Sequence, residues 1–114
     1  MFSLNIEKKT VKNTNYRKVV YTDKFQQLAL MCLLPGEDIP LEKHNGTQFF
    51  RVESGNGLAT VGKSKKKLKD GISFIIPKNT HHYVVNTSKS NPLKLYTIYS
   101  PPQHPDKTLL RRQK

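Results

Sequence analysis

Three side chains that could bind a metal fall within seven residues of this chain. Glu42, His44 and Gln48 are separated by even offsets, and residues at even offsets share one face of an extended strand. Asn45-Gly46 interrupts the run and is typical of a tight hairpin turn, across which Gln48 would rejoin that face. Imidazole nitrogens together with carboxylate and amide oxygens suit a divalent transition metal. The spacing therefore predicts part of a metal site.

The stretch around these residues resembles the first sequence motif of the cupin family. Gly36 opens the motif, Glu42 stands at its first histidine position and His44 at its second. Gln48 stands at the glutamate position, and Gly55 closes the motif.

A later stretch resembles the second cupin motif. Gly71, Pro77, His82 and Asn86 fall on its positions, and Asn79 replaces its middle glycine. Asn is the best substitute for Gly where φ must be positive. The order of the two motifs and their separation also resemble the cupin pattern.

The resemblance implies four metal ligands: Glu42, His44, Gln48 and His82. Two of these positions differ from the family pattern, but one exchange gains a carboxylate and the other loses one, so the set keeps a single negative charge. Two nitrogen and two oxygen donors favour Mn, Fe, Zn or Ni over Ca or Mg. The alternative is a buried hydrogen-bonded network of the same side chains without a metal.

The elements that must position these ligands are short strands. We expect strands at Phe2–Ile6, Tyr16–Tyr21, Phe25–Leu34, Gln48–Glu53, Leu58–Gly62, Ile72–Ile76, His82–Asn86 and Leu93–Ser100. The run Ile72–Ile76, which is apolar except for Ser73, predicts a strand buried on both faces. Many short strands and no convincing helix indicate an antiparallel sandwich or barrel. The cupin resemblance implies the all-β double-stranded β-helix, a jelly-roll barrel.

The length of 114 residues indicates one domain over residues 1–114. Residues 1–15 are expected to form an N-terminal strand or arm, and residues 103–114 a basic tail that is ordered only in part. The segment from Leu93 to Pro102 also resembles small single-domain cupins labelled mannose-6-phosphate-isomerase-like. That label describes similarity and does not establish an activity.

Four residues on the predicted strands are candidates to line a pocket in the barrel: Phe50, Val52, Val84 and Tyr96. For each of them, ordinary core packing is the alternative. Alternation along the strands predicts that His81 and Arg51 point outward. His104 lies in a Pro-rich tail and is expected at the surface.

The charge of the chain is strongly positive. Twenty Lys and Arg residues against eight Asp and Glu residues give a formal net charge of +12, which favours weak binding to polyanions. Five lysines lie in the predicted hairpin over residues 62–69: Lys63, Lys65, Lys66, Lys67 and Lys69. They could bind phosphate backbones, or they could protect an exposed sheet edge.

Two functions therefore stay open. In the first, the barrel binds a divalent metal and a small sugar-like, carbonyl or organic-acid ligand, with an isomerase-like or other metal-dependent activity as its enzymatic form. In the second, the protein is a non-catalytic basic module that contacts nucleic acid or another polyanion. Whether the protein is an enzyme is left open.

The resemblance also implies a homodimer formed by sheet pairing, with the N-terminal strand and the apolar run around Cys32 as interface candidates. Cys32 is the single cysteine, which favours a buried thiol in a reducing compartment. No secretory leader and no membrane span are predicted. We therefore expect a cytoplasmic protein.

Overall fold

The structure is a computed structural model that describes residues 1–113. Over these residues the chain forms one helix and ten strands. In chain order they are α1 (Ile6–Lys12), β1 (Arg17–Thr22), β2 (Gln27–Leu33), β3 (Asp38–Glu42), β4 (Thr47–Ser54), β5 (Gly57–Val61), β6 (Ser64–Leu68), β7 (Ser73–Ile76), β8 (His82–Asn86), β9 (Leu93–Ser100) and β10 (Leu109–Leu110).

The strands form two antiparallel sheets. The six-stranded sheet has the order β10-β1-β2-β9-β4-β7, and the four-stranded sheet has the order β3-β8-β5-β6. Most connections from β2 onward carry the chain from one sheet to the other, and apolar residues of both sheets share one core cluster. This arrangement confirms the predicted all-β jelly-roll barrel.

Alternation along β9 decides which of its side chains enter the barrel. Leu93, Leu95, Thr97 and Tyr99 are buried, and the residues between them are partly exposed. Because successive residues of a strand point to opposite faces, this inner face passes from apolar to polar along the strand.

Two rows of inward residues run across the sheet at the two ends of β9. The polar rung consists of Gln27, Tyr99 and Gln48, which lie in register on β2, β9 and β4. The apolar rung consists of Met31, Leu95 and Val52, in register on the same three strands. The six side chains are at most 2% exposed, so the barrel interior has one polar end and one apolar end.

β2 is an inner strand of its sheet. It pairs with β1 on one side and β9 on the other, and Cys32 is a buried free thiol. The expectation that the run around Cys32 offers an interface for sheet pairing is therefore wrong, because both edges of β2 are already paired.

The N-terminal segment is helical, and the expected strand Phe2–Ile6 is not present. Asn5 caps α1, since its side chain accepts a hydrogen bond from the backbone N–H of Lys8 at 3.1 Å. Glu7 lies in the first turn and Lys12 in the last, where each charge complements the helix dipole. These local signals outweigh the apolar alternation on which the strand was predicted.

The connection between β3 and β4 is not a hairpin. β3 pairs with β8, whereas β4 pairs with β7 and β9, so Asn45-Gly46 carries the chain between sheets. A Cβ at Gly46 would collide with the backbone of Ser100. Glycine is therefore required by close packing at this corner and not by a two-residue turn.

β7 is an edge strand, and its predicted burial on both faces is wrong. Its only partner within residues 1–113 is β4. Ile75 is 61% exposed, whereas Ile76 is buried. One face of β7 therefore contributes to the core and the other faces solvent.

The C-terminal segment returns to the barrel. Gln27 Nε2 donates to the carbonyl of His104 at 2.8 Å, and Gln27 Oε1 accepts the backbone N–H of the same residue at 3.0 Å. Farther along, β10 pairs with β1, and Gln113 exchanges two hydrogen bonds with Asp38. The described tail is thus folded against the barrel; its partial flexibility stays a prediction, and Lys114 lies outside the described residues.

Candidate metal centre

Glu42, His44 and His82 converge at the polar end of the barrel. His44 Nε2 lies 3.2 Å from Glu42 Oε1, and His82 Nε2 lies 3.6 Å from the same oxygen. One ligand atom from each of the three side chains lies within 4.8 Å of the other two. These separations bring three donors, one carboxylate and two imidazoles, around one point, and both donor types suit a transition metal.

Neighbouring elements bring these side chains together. Glu42 ends β3 and lies in register with His82 of β8. His44 follows two residues later, and its carbonyl accepts a hydrogen bond from the backbone N–H of Asn79 at 2.7 Å. Asn79 has φ 59°, which confirms the positive φ predicted for the position where the motif has glycine.

His82 is completely buried, and the backbone sets its tautomer. Its Nδ1 lies 3.1 Å from the carbonyl oxygen of Thr80, an acceptor that only a protonated Nδ1 can satisfy. The neutral ring then carries its lone pair on Nε2. That Nε2 is buried and has no hydrogen-bond partner, so it is free to bind a cation.

Gln48 reaches the same region from the opposite sheet. It lies in register with Tyr99, whose ring centroid is 5.8 Å from that of His44. Gln48 Nε2 donates to Thr97 Oγ1 at 2.8 Å, which orients the amide. Its Oε1 is buried without a hydrogen-bond partner. The amide therefore presents a free oxygen ligand.

These unpartnered atoms test whether the centre fits a metal. A buried acceptor without a partner costs about 1–3 kcal/mol, and His82 Nε2 and Gln48 Oε1 are two such acceptors. A self-contained hydrogen-bonded network would supply each of them with a donor. A divalent transition metal would satisfy both, so the donor set fits the metal better than the metal-free alternative.

The charge of Glu42 also favours a cation. Burial raises the pKa of Glu42, but the imidazoles of His44 and His82 beside it outweigh this effect, and the net pKa lies well below its usual range. The Glu42 side chain is 33% exposed and the His44 side chain 13%. An ionised carboxylate therefore stands beside two imidazoles at a point that solvent can reach.

Three of the four candidate pocket-lining residues belong to the core. Phe50, Val52 and Val84 are completely buried in the main apolar cluster, and the ring of Phe50 stacks on that of Phe74 at 5.0 Å. Ordinary packing, the stated alternative, accounts for them.

Tyr96 does not line the interior, so that prediction is wrong. The inner face of β9 carries Thr97 and Tyr99, so Tyr96 lies on the outer face. There its ring lies 6.2 Å from that of Phe49, another residue with outward parity. The predicted outward direction of His81 and Arg51 is confirmed: the first is exposed, and the second forms an ion pair with Glu53 at 3.1 Å.

Tyr99 and His104 flank the centre, and the sequence did not assign either to it. The Tyr99 ring forms T-shaped pairs with the rings of His44 and His104, at centroid distances of 5.8 and 5.1 Å. The inward parity of Tyr99 was visible in the sequence, but the face of β9 that enters the barrel was not.

His104 is not a surface residue, which corrects the prediction made from the Pro-rich tail. Its Nε2 is buried without a hydrogen-bond partner. Burial lowers the pKa of His104 to about 4, and the nearby charge of Arg17 acts in the same direction. Nothing in the local sequence signals this position, because the path of the tail depends on its backbone hydrogen bonds to Gln27.

The lysine-rich segment contains none of the proposed metal ligands and is exposed to solvent. All five of its lysines are exposed and lie on or beside β6, an edge strand of the four-stranded sheet: Lys63, Lys65, Lys66, Lys67 and Lys69. Lysines on an edge strand prevent pairing with other chains. Edge protection therefore accounts for this segment.

Comparison with known proteins agrees with this geometry. A family model described as a cupin domain matches residues 29–99. The chain is 43% identical over 109 residues to the uncharacterized protein L612 of Acanthamoeba polyphaga mimivirus, an alignment that covers 92% of this chain and 68% of L612. It is 44% identical over 111 residues to the uncharacterized protein YrkC of Bacillus subtilis, covering 91% of this chain and 59% of YrkC.

A solved structure shares the whole fold. BH2720 from Bacillus halodurans is 41% identical, with a TM-score of 0.93, and the match covers 97% of this chain and 89% of that one. Both curated relatives are longer than this chain, which spans between about three fifths and two thirds of their lengths. Within residues 1–113, no helix is long and apolar enough to cross a membrane.

Proposed function

The chain belongs to the cupin family, and on that premise we propose that Glu42, His44, Gln48 and His82 bind one divalent transition metal, which is Mn, Fe, Zn or Ni. We further propose that this centre takes a small sugar-like, carbonyl or organic-acid ligand. The observation that carries the proposal is the pair of unpartnered buried acceptors, His82 Nε2 and Gln48 Oε1, on residues that match the family's ligand positions.

A bound metal would act as a Lewis acid toward a carbonyl oxygen of the ligand. The residues of this chain hold the ligand atoms in place for it. The Thr80 carbonyl keeps the proton of His82 on Nδ1, and Thr97 orients the Gln48 amide. While bound, the two histidines cannot exchange a proton at the nitrogen that holds the metal, so Tyr99 and His104 are the titratable groups that flank the centre.

An isomerase-like reaction is the finer form of this proposal. The resemblance of the segment around β9 to the mannose-6-phosphate-isomerase-like group motivates it, but the matched family model names the cupin domain alone. The nucleic-acid alternative has no support, since edge protection accounts for the exposed lysines of β6.

Elemental analysis tests the metal proposal. We expect about one metal ion per chain in wild-type protein purified without chelator, and none in a His44→Ala/His82→Ala double variant, since two of four ligands are removed. His81→Ala is the matched control, because this exposed neighbour should leave the metal content unchanged. Wild-type protein that holds no metal after soaking in Mn, Fe, Ni and Zn would contradict the proposal.

We also propose that the protein is a cytoplasmic homodimer. The buried free thiol of Cys32 supports a reducing compartment. Exposed apolar side chains, which include Phe25, Leu41 and Ile75, supply contact area for a second copy. Light scattering should give the mass of two chains; the mass of one chain would contradict the dimer.

A further inference from the structure

Arg17 is a buried cation without a carboxylate partner. The residue is 8% exposed, and its Nε is buried with no hydrogen-bond partner. Within residues 1–113, no Asp or Glu oxygen lies within 4.0 Å of its guanidinium. Because a buried unpaired charge is unfavourable, a small anion that reaches this guanidinium would be bound strongly.

The charged end of Arg17 extends toward the polar end of the barrel. The backbone of Arg17 lies in register with Met31 of the apolar rung, but its guanidinium acts on Tyr99 and His104. Burial raises the pKa of Tyr99, whereas the nearby charge of Arg17 opposes that rise. Arg17 also helps to lower the pKa of His104. Val19, the next inward residue of β1, packs in one buried cluster with Tyr99, so Arg17 and Tyr99 share this side of the barrel interior.

The same two rings connect Arg17 to the metal centre. Tyr99 contacts His44 on one side and His104 on the other, at centroid distances of 5.8 and 5.1 Å. The ring of Tyr16 lies 5.4 Å from Arg17 Cζ and supports the guanidinium by a cation–π contact. A cation is thus held next to the proposed ligand set without taking part in it.

The charges in this region require an anion once a metal is present. The charges of Glu42 and Arg17 cancel, so a divalent metal leaves an excess of two positive charges. A guanidinium has a planar fork of N–H donors that matches a carboxylate. Lone guanidinium recognition suits a carboxylate better than a phosphate dianion, which binds where several cations or backbone N–H groups converge.

We propose that Arg17 binds the carboxylate of a small organic acid whose neighbouring carbonyl or hydroxyl oxygen faces the metal centre. The orientation of that second oxygen rests on the proposed function, whereas the contact between Arg17 and the carboxylate does not require the metal. The ligand class of the barrel is accordingly a 2-oxo or 2-hydroxy acid.

Thermal unfolding with two matched probes tests this proposal. Pyruvate and pyruvamide share a ketone, but only pyruvate carries a charge, so each is titrated at constant ionic strength into metal-free and metal-loaded protein. Binding to the folded state raises the unfolding midpoint, and we expect a rise of about 5 °C at a pyruvate concentration ten times its dissociation constant. Pyruvamide should leave the metal-free protein unchanged.

Variants assign the effect to Arg17. Arg17→Met should lose the response to pyruvate, and Arg17→Lys, which keeps the charge without the fork, should retain less than half of it. Arg51→Gln is the matched control, because Arg51 lies on the outer face paired with Glu53; it should respond as wild type does. If Arg17→Met does not fold, Arg17→Lys alone decides the outcome.

The results separate this proposal from the metal proposal. A variant at position 17 that responds to pyruvate as fully as wild type would overturn the assignment, as would wild-type protein that responds equally to both probes or to neither. Metal content is measured on the same preparations. A response that depends on Arg17, in protein that still holds no metal after soaking in Mn, Fe, Ni and Zn, would support the carboxylate contact and contradict the metal centre.

Discussion

The two rungs of the six-stranded sheet have the same geometry and opposite chemistry. Both cross β2, β9 and β4 on the inner face, about 13 Å apart along β9, and both are buried. The apolar rung packs within the main core cluster. The polar rung contains a buried acceptor that no side chain satisfies, Gln48 Oε1.

This difference separates the part of the barrel that stabilises it from the part that binds. Burial of Met31, Leu95 and Val52 removes apolar surface from water and favours folding. Burial of unpaired polar atoms at the other end opposes folding until a ligand pairs with them. Sites that are unfavourable for stability are commonly those used for binding, which is why substitutions at the two ends should have different effects.

The largest effect on stability is expected at the apolar rung. Leu95→Ala should lower the free energy of unfolding by about 2–5 kcal/mol, because it leaves a cavity in a completely buried position. Metal content should stay at the wild-type value wherever the variant is folded. Urea unfolding measures the stability, and a loss below about 1 kcal/mol would show that this end is not the source of stability.

A smaller effect should depend on pH and come from His104 beside the polar rung. Its pKa is about 4 in the folded protein against 6.5 when unperturbed, so between these values the unfolded chain binds more protons. The free energy of unfolding should therefore fall as the pH drops from about 6.5 to about 4. Solvent screening of this partly buried ring limits the loss to about 1–2 kcal/mol.

Substitution identifies the source of that pH dependence. His104→Gln cannot titrate and should flatten the stability profile between pH 4 and 6.5, whereas the exposed His81→Gln should keep the wild-type slope. Chemical unfolding at a series of pH values measures both. The same slope in His104→Gln and wild type would assign the dependence to other groups.

The smallest effect is expected on metal affinity at Gln48. Gln48→Glu restores the family's carboxylate and should strengthen metal binding by about tenfold, since affinity rises with the charge of the ligands. Gln26→Glu adds the same charge at an exposed turn and should not. Competition with a metal-sensitive dye measures the affinities; equal affinities for Gln48→Glu and wild type would remove Gln48 from the ligand set.

Features with a local cause could be predicted from the sequence. The strands His82–Asn86 and Leu93–Ser100 lie where the alternation predicts them, and the adjacent histidines divide between interior and surface as a strand requires. Asn79 adopts positive φ. The helix α1 also has a local cause, because the cap and the charges that favour it are in the sequence. The strand prediction for this segment did not take these signals into account.

Features that depend on distant partners could not be predicted. The partner of Gln48 is Thr97, 49 residues away, and the residue that anchors the tail is Gln27, 77 residues before His104. The Asn45-Gly46 pair has the local signal of a hairpin, but the sheet that each strand joins is decided by long-range pairing.

The sequence by itself determined the barrel, the inward histidine and the four residues proposed as metal ligands, because alternation and motif spacing are properties of neighbouring residues. Only the tertiary structure decided that Gln48 faces the barrel interior from the opposite sheet, that His104 returns to the ring of Tyr99, and that Arg17 is buried without a carboxylate partner. A buried charge or acceptor is unpaired only when no strand brings a partner within reach, and that depends on how all the strands pack.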